Sequence, residues 1–264
     1  MASIAQVIQT IEKFAPKELS ESFDNCGLKI GEINNIVTGV LVTVDTNLDV
    51  IKEAEEFGCN LIVEHHPSIW QPLRSFDLKL PLNQAILEAG KNNIAIYSAH
   101  TNVDYTTDGL NDIVAASMGL GDVRPVGDYS SARIGSLKKD ASLKDYAILL
   151  SKVFDDDNIS VVGDLNKNIK NVAVINGGGG GCIDSILDTF NAGADVFVTG
   201  DVKHSVARLA KDLGYGIIQV GHFTSEKAFL PLMKKVINKE FPDLNVIESE
   251  IIGSPYNRRE EIWI

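Results

Sequence analysis

The stretch Leu61-Ile-Val-Glu-His-His-Pro-Ser68 decides how the rest of the chain is read. Leu61 to Val63 is an apolar run that stops at Glu64. Two adjacent histidines follow before Pro67, which has no N–H to give to a ladder and cannot extend a helix. This is the pattern of a buried strand reaching the edge of a sheet, where open α/β folds put their ligands. His65 and His66, held side by side there, can each face a different metal ion. Alone, the pair reads equally well as two structural histidines, so the question is whether other ligands exist.

Working outward, Gly39-Val-Leu-Val-Thr-Val-Asp45 is a continuous β-branched and apolar run, the signature of a strand buried on both faces. Asn47 is placed to cap a helix through Val50, Ile51, Ala54 and Phe57 to Gly58. The histidine pair therefore closes a strand–helix–strand unit. On the N-terminal side, Ile4, Val7, Ile8, Ile11 and Phe14 share one helical face, and residues 22–28 read as a polar turn. On the C-terminal side, a helix over 81–88 leads to the buried-type strand Asn93-Ile-Ala-Ile-Tyr-Ser-Ala99. That strand runs straight into His100-Thr-Asn-Val-Asp104, and a helix over 109–118 follows.

Residues 119–135 are rich in Gly, Pro and Ser with little periodicity, which places a domain boundary near residue 125. Beyond it, Ser142 introduces a helix to Phe154, and the acidic turn 155–157 is expected to be solvated. A second cycle then begins with Asn171-Val-Ala-Val-Ile-Asn176, the five glycines 177–181 and a helix over 184–190. The strand Asp195-Val-Phe-Val-Thr199 ends in Gly200-Asp-Val-Lys-His204, and Tyr215-Gly-Ile-Ile-Gln-Val220 meets His222-Phe-Thr-Ser-Glu226. A helix from Thr224 or Ser225 to Phe241 and a strand over 245–252 complete the reading.

The order of events recurs. Val40-Leu-Val-Thr-Val parallels Val172-Ala-Val-Ile, and Phe57-Gly-Cys-Asn-Leu-Ile-Val parallels Ala192-Gly-Ala-Asp-Val-Phe-Val. His100-x-x-x-Asp104 parallels His222-x-x-x-Glu226, each after a strand. The expected fold is α/β: two related lobes with mixed sheets flanked by helices, and a metal site at strand ends between the lobes. The first lobe is expected over 1–125, joined by the C-terminal segment 242–264, and the second over 126–241.

The composition bounds the alternatives. Hydrophobic content of 44% and charged content of 23% are ordinary for a globular protein, and a net charge of −12 disfavours a long nucleic-acid footprint. No apolar run approaches the ~20 residues of a membrane span, and the N-terminal helix lacks the pattern of a signal peptide. A cytoplasmic location is expected, with no membrane partner. Cys26, Cys59 and Cys182 are far apart and form no CxxC pair, which predicts reduced thiols.

All five histidines fall at strand ends: His65, His66, His100, His204 and His222. With Asp104, Asp201 and Glu226 at comparable positions, the balance moves from structural histidines to a metal site. Imidazole and carboxylate without thiolate suit Zn, Fe, Mn or Ni at a catalytic type of site. Two such ions need a bridging carboxylate and leave an open position for water, whose pKa they lower. Spacing alone does not say which acidic residue bridges. The glycine run, with Gly178, Gly179 and Gly180 at its centre, can present N–H groups to a phosphate. It lacks a GxxxxGK[ST] lysine, and the alternative is a tight, side-chain-free approach to the other lobe.

These motifs resemble the NIF-three-like family, also called the dinuclear-metal-centre hexameric proteins. The likeness runs from Phe23-Asp-Asn-Cys-Gly-Leu to Val246, through Glu64-His-His-Pro, Ala99-His-Thr-Asn-Val-Asp, Thr199-Gly-Asp-Val-Lys-His and Gly221-His-Phe-Thr-Ser-Glu. Phe23 stands where the family motif commonly has Trp. The resemblance implies metal ligands at His65, His66, Asp104, His222 and Glu226, with Asp104 and Glu226 as bridging carboxylates. It places His100, Asp201 and His204 beside the site. It also implies two divalent ions per chain, a toroidal homohexamer and the short form of the family, without an inserted third domain.

Many members bear the label GTP cyclohydrolase I type-two homologue, a reaction that opens a purine ring by hydrolysis. The expected function is therefore that of a metal-dependent hydrolase acting on a nucleotide or other phosphorylated small molecule. In it, His100 or His204 would move protons or hold the substrate. The competing expectation is a metal-handling protein (chaperone, insertion factor or store) or a regulatory binding protein without turnover.

Overall fold

Val40-Leu-Val-Thr43 offers no polar position to turn toward water, and all four residues are buried in the computed structural model, which describes residues 1–127, 131–251 and 253–256. The described chain divides into two lobes, each built on its own sheet.

The first lobe opens with α1 (Ile4–Phe14), whose Ser3 and Gln6 side chains cap each other's backbone N–H groups. There follow β1 (Gly27–Ile30), β2 (Val40–Thr43), α2 (Leu48–Glu56), β3 (Leu61–Glu64), α3 (Pro81–Lys91), β4 (Ala95–Ser98) and the single turn α4 (Thr101–Tyr105). Asn47 caps α2 by accepting from the N–H groups of Asp49 and Val50 at 2.9 and 3.0 Å. Strands β2, β3 and β4 are parallel and in step, Thr43 beside Glu64 and Glu64 beside Ser98, while β1 runs antiparallel along β4. The core of this lobe sets Leu41, Ile62 and Ile96 from the sheet against Val50, Ile51, Ala54, Ala85 and Ala89.

The second lobe contains α5 (Leu110–Ser117), β5 (Leu120–Pro125), β6 (Arg133–Ser142), α6 (Leu143–Phe154), β7 (Ser160–Val162) and β8 (Asn168–Ile175). It continues through α7 (Ile183–Asn191), β9 (Val196–Thr199), α8 (His204–Asp212), β10 (Gly216–Gln219) and α9 (His222–Glu226). Its sheet has the order β5-β6-β8-β9-β10-β7, with β8, β9 and β10 parallel and the outer strands antiparallel. Ala173, Phe197 and Ile217 meet Ile186, Val206 and Ala210 in its core. The chain then returns to the first lobe as α10 (Phe229–Glu240) and β11 (Val246–Glu248), which extends the first sheet beyond β2 in parallel.

Three readings of the sequence need correction. The stretch 119–135, expected to be an aperiodic boundary, holds the antiparallel pair β5 and β6. Its Gly and Ser positions belong to part-exposed strands, which show no apolar alternation. Helix α5 and this pair lie with the second lobe, so the first crossing falls at Thr106/Thr107 and not near 125, and the return falls at Ala228/Phe229. Residues 254–256 also group with the second lobe, and 257–264 lie outside the described residues.

The helix expected from 224 to 241 is two helices. Pro231 sits in the first turn of α10, where no intrahelical acceptor awaits an N–H; a continuous helix from His222 would clash with its ring. The acidic turn 155–157 is not wholly solvated. Asp156 is buried, and its carboxylate accepts from the N–H groups of Gly221 (2.7 Å) and Asn158 (2.8 Å).

The repeat read in the sequence has a topological counterpart. Each lobe contains three successive parallel strands linked by two helices, then one helical turn carrying His-x-x-x-acid. Among the described residues, no helix is long and apolar enough to cross a membrane.

Candidate metal centre

Parallel strands leave their carboxyl ends on one edge of a sheet, and in the first lobe those ends deliver Asp45, His65, His66 and His100. The backbone of His65 donates to Thr43 O at 3.1 Å and that of His66 to Val44 O at 2.9 Å, which extends the β2–β3 ladder under the histidine pair. Pro67 then ends it. Glu64, buried within β3, shapes the turn: one carboxyl oxygen accepts from the Ser68 N–H at 2.7 Å and the Ser98 hydroxyl at 2.6 Å.

Burial raises the Glu64 carboxyl above its ordinary range, against the pull of those hydrogen bonds. A group with a raised folded pKa stabilises the fold fully below its unfolded value and loses that contribution as pH rises through the folded one. Glu64→Gln keeps the acceptor oxygen and carries no charge, so it should unfold in urea near the wild-type midpoint at pH 7. Glu64→Ala strands two buried donors and should cost about 1–3 kcal/mol. Equal losses for the two variants would show that the carboxyl oxygen has no such part.

Each histidine of the first-lobe cluster is anchored through Nδ1. That of His65 meets Ala99 O at 3.0 Å, that of His66 meets an Asp45 carboxylate oxygen at 2.9 Å, and that of His100 meets an Asp24 carboxylate oxygen at 3.0 Å. Carbonyl and carboxylate oxygens only accept, so Nδ1 carries a proton, and in a neutral ring of that tautomer the Nε2 lone pair is the one a metal ion binds. The rings stand close together: 5.2 Å between His65 and His66, 5.0 Å between His65 and His100, and 5.6 Å between His66 and His100. One ligand nitrogen from each lies within 4.8 Å of the others. Phe229 covers His65 at a ring separation of 4.8 Å, and His65 is fully buried.

Asp24 accepts from the Thr101 N–H at 3.1 Å and from its hydroxyl, besides His100. Burial alone would raise its carboxyl, but the hydrogen bond and electrostatic attraction of His100, helped by hydrogen bonds from Thr101 and Cys26, hold it well below the usual range. Cys26 goes the other way: burial and the Asp24 charge push its thiol up to about 11, so it offers no thiolate at neutral pH. All three cysteines are free, as the sequence predicts.

The second lobe repeats the device. His222 opens α9 with Nδ1 against an Asp201 carboxylate oxygen at 2.9 Å and Nε2 3.2 Å from the buried Glu226 carboxylate. Ser225 accepts from the Gly177 N–H at 2.8 Å and donates to His222 O at 2.7 Å, tying α9 to the glycine run. The run, Gly177–Gly181, is a 3-10 turn, and Gly177 has φ +54°. A Cβ at Gly177 would collide with the Glu226 carboxylate, and one at Gly180 would lie 2.6 Å from Asp201 O. The glycines thus let the turn close on the carboxylate, His222 and β9 within their own lobe.

Of the residues singled out in the sequence, His65, His66 and His100 converge in the first lobe, and His222 and Glu226 in the second, with Asp201 behind them. Asp104 is buried on α4 and stands outside the three-histidine group. His204 begins α8 and is exposed, apart from the donor groups among the described residues. Sequence reasoning passed over Asp24 and Asp45. Asp45 carried a signal, an acid directly after a buried strand; Asp24 sits in a turn whose contact with His100 is purely tertiary. The donor chemistry fits a divalent transition metal: imidazoles held at Nδ1 by oxygen acceptors, a buried carboxylate and a side-chain-free cradle beside it.

The chain is similar to known proteins along nearly its whole length. The profile of the family described as Duf34/NIF3 (NGG1p interacting factor 3) matches residues 2–255. A Clostridium perfringens protein named GTP cyclohydrolase 1 type 2 homolog is 33% identical over 257 residues, 95% of this chain and 97% of that one. The structure of reduced HcgD from Methanocaldococcus jannaschii superposes with a TM-score of 0.82 at 30% identity, covering 95% of this chain and 98% of the other. A Bacillus cereus protein related to NIF3 shares the fold at a TM-score of 0.88 and 23% identity, over 97% and 99% of the two chains.

Proposed function

The chain belongs to the Duf34/NIF3 family, and on that premise we propose that it is a dinuclear-metal hydrolase acting on a nucleotide or other phosphorylated small molecule. The observation that carries the proposal is the shared anchoring of His65, His66 and His222. Each gives Nδ1 to an oxygen acceptor, and the reading takes Nε2 of each as its ligand nitrogen, which in His222 stands beside the Glu226 carboxylate. In this reading His65, His66, Asp104, His222 and Glu226 hold two divalent ions (Zn, Fe, Mn or Ni). When bound, such a pair supplies Lewis-acid chemistry and an acidified water at neutral pH.

The chain's own groups do the rest. Asp45 and Asp201 fix the tautomers of His66 and His222, and Gly177 leaves room for the Glu226 carboxylate. His204, exposed at the start of α8, is assigned to substrate contact or proton transfer; the N–H groups of Gly178, Gly179 and Gly180 are assigned to a substrate phosphate. The proposal includes a homohexamer, which light scattering would find as about six times the chain mass of 28.6 kDa.

Purified protein should contain about two transition-metal ions per chain by elemental analysis. It should hydrolyse GTP or a member of a phosphoester panel, with activity lost to chelator and to His65→Ala. Full metal occupancy with no turnover across the panel would replace the hydrolase reading with the metal-handling one. Occupancy unchanged in His65→Ala and Glu226→Gln would remove the ligand assignment itself.

A further inference from the structure

Two large aromatic rings stand exposed beside the histidine cluster of the first lobe. Phe23, in the turn ahead of β1, is 65% exposed, and Trp70, three residues past Pro67, is 42% exposed. Their ring centroids lie 6.2 Å apart at a tilt of 45°, so neither ring covers the face of the other. Trp70 also meets His100 in a T-shaped contact at 5.4 Å, and His100 in turn stands 5.0 Å from His65 and 5.6 Å from His66. A pair placed for the core would be buried. This one leaves apolar ring surface in water at the edge of a polar site, an arrangement that marks a binding surface.

The rings are held in place from behind. Asn25 Nδ2 donates to Ile69 O at 2.5 Å, which ties the turn that carries Phe23 to the segment that carries Trp70. Next to Phe23, the shielded Asp24 carboxylate accepts from the Asn25 N–H at 2.6 Å and, on its other oxygen, from the Thr101 N–H and hydroxyl. Backbone fixed in this way leaves little ordering for a ligand to impose.

The occupant that such a surface selects is flat, apolar on its faces and polar at its rim. An alkyl chain would cover the rings but brings nothing for the imidazoles and carboxylates next to them. A sugar phosphate satisfies those groups and leaves the rings wet. A heteroaromatic base does both: its face stacks on an aromatic side chain, and its edge carries donors and acceptors.

We infer that Phe23 and Trp70 form a stacking subsite for the base of a nucleotide, set beside the histidine cluster. The inference rests on the reading of the substrate as a nucleotide or other phosphorylated small molecule, and it narrows that reading to the nucleotide. Every base has a π-face to offer, and the larger face of a purine is held more tightly than that of a pyrimidine.

Trp70 and Trp263 are the chain's two tryptophans, so Trp263→Phe makes Trp70 fluorescence the reporter. In that background the full chain is titrated with GMP, CMP and ribose 5-phosphate. GMP should quench Trp70 and bind more tightly than CMP, and ribose 5-phosphate should bind more weakly than either without quenching. By calorimetry, Phe23→Ala and Trp70→Ala should each weaken GMP binding roughly 5- to 150-fold. Phe23→Leu keeps apolar bulk without a π-face and should recover little of that loss; Phe23→Trp should bind GMP at least as tightly as wild type. Both side chains are exposed, so these variants should fold, which circular dichroism checks. GMP and ribose 5-phosphate bound equally well, or GMP binding unmoved by both alanine variants, would overturn the inference; phosphoester turnover by the same protein would leave the hydrolase reading standing. A lower mass by light scattering for either variant would also overturn it, by showing that the rings are a contact between copies of the chain. Full metal occupancy without turnover, in a chain whose GMP binding depends on Phe23 and Trp70, would instead remove the hydrolase reading and keep the subsite.

Discussion

Gly177→Ala is expected to lower metal affinity roughly 10- to 100-fold and to cost about 1–3 kcal/mol of stability. Two effects combine. At φ +54° an alanine is strained whatever its surroundings, which accounts for about 1 kcal/mol. More important, its Cβ would occupy the place of the Glu226 carboxylate and stand 3.1 Å from His222 Nε2. Either the 3-10 turn or the carboxylate must move, and the turn is held by Ser225 at the Gly177 N–H and by the Asp201 N–H at Gly177 O, 3.0 Å away. The neighbouring glycine is the control. A Cβ at Gly178 meets only His222 Cε1, at an ordinary 3.9 Å, and its φ is not positive. Gly178→Ala should therefore match wild type in metal content and urea midpoint. Equal behaviour of the two variants would show that the run is not shaped around the carboxylate.

Arg133→Ala is expected to destabilise the second lobe by about 3 kcal/mol, the lower end of the range for breaking a buried ion pair. Arg133 begins β6 with 1% of its side chain exposed, and its guanidinium fork grips Asp112 of α5 at 2.6 and 3.3 Å. It also donates to Ser131 O at 3.2 Å. The Asp112 side chain is 24% exposed, so water softens the loss on that side, which is why the estimate sits low. Arg133→Lys keeps the charge without the planar fork and should recover only part of the difference. Urea unfolding read by fluorescence and by circular dichroism measures both. A change below 1 kcal/mol for Arg133→Ala would mean that the α5–β6 contact is held by its apolar neighbours.

Where the sequence was legible, the reason is burial on two faces. Val40 to Thr43, Leu61 to Val63 and Val196 to Thr199 are runs with no solvent side, so strand and strand end could both be read, and His65 and His66 stood at one of those ends. Asn47 and Ser142 marked helix starts because a capping side chain acts on N–H groups two or three residues away. The pair β5 and β6 was hidden because its exposed positions accept almost any residue. Asp24 was hidden for another reason: it is separated from His100 by 76 residues, and nothing in a turn announces which histidine it will hold. The burial of Asp156 was likewise invisible, since it depends on the distant N–H of Gly221. Local chemistry reaches the page through the sequence; the partners of a lone carboxylate arrive only with the fold.

The return of the chain to its first lobe bears on synthesis. Val246 pairs with Val40, and Glu53 accepts from the Ser249 hydroxyl and the Glu250 N–H, so the first sheet is completed by nearly the last described residues. The body of the second lobe, Thr107–Ala228, is contiguous. A ribosome therefore releases every strand of the second sheet while the first still lacks an edge. Until β11 emerges, β2 waits with open backbone groups, an interval in which an emerging chain is vulnerable to pairing with the wrong strand.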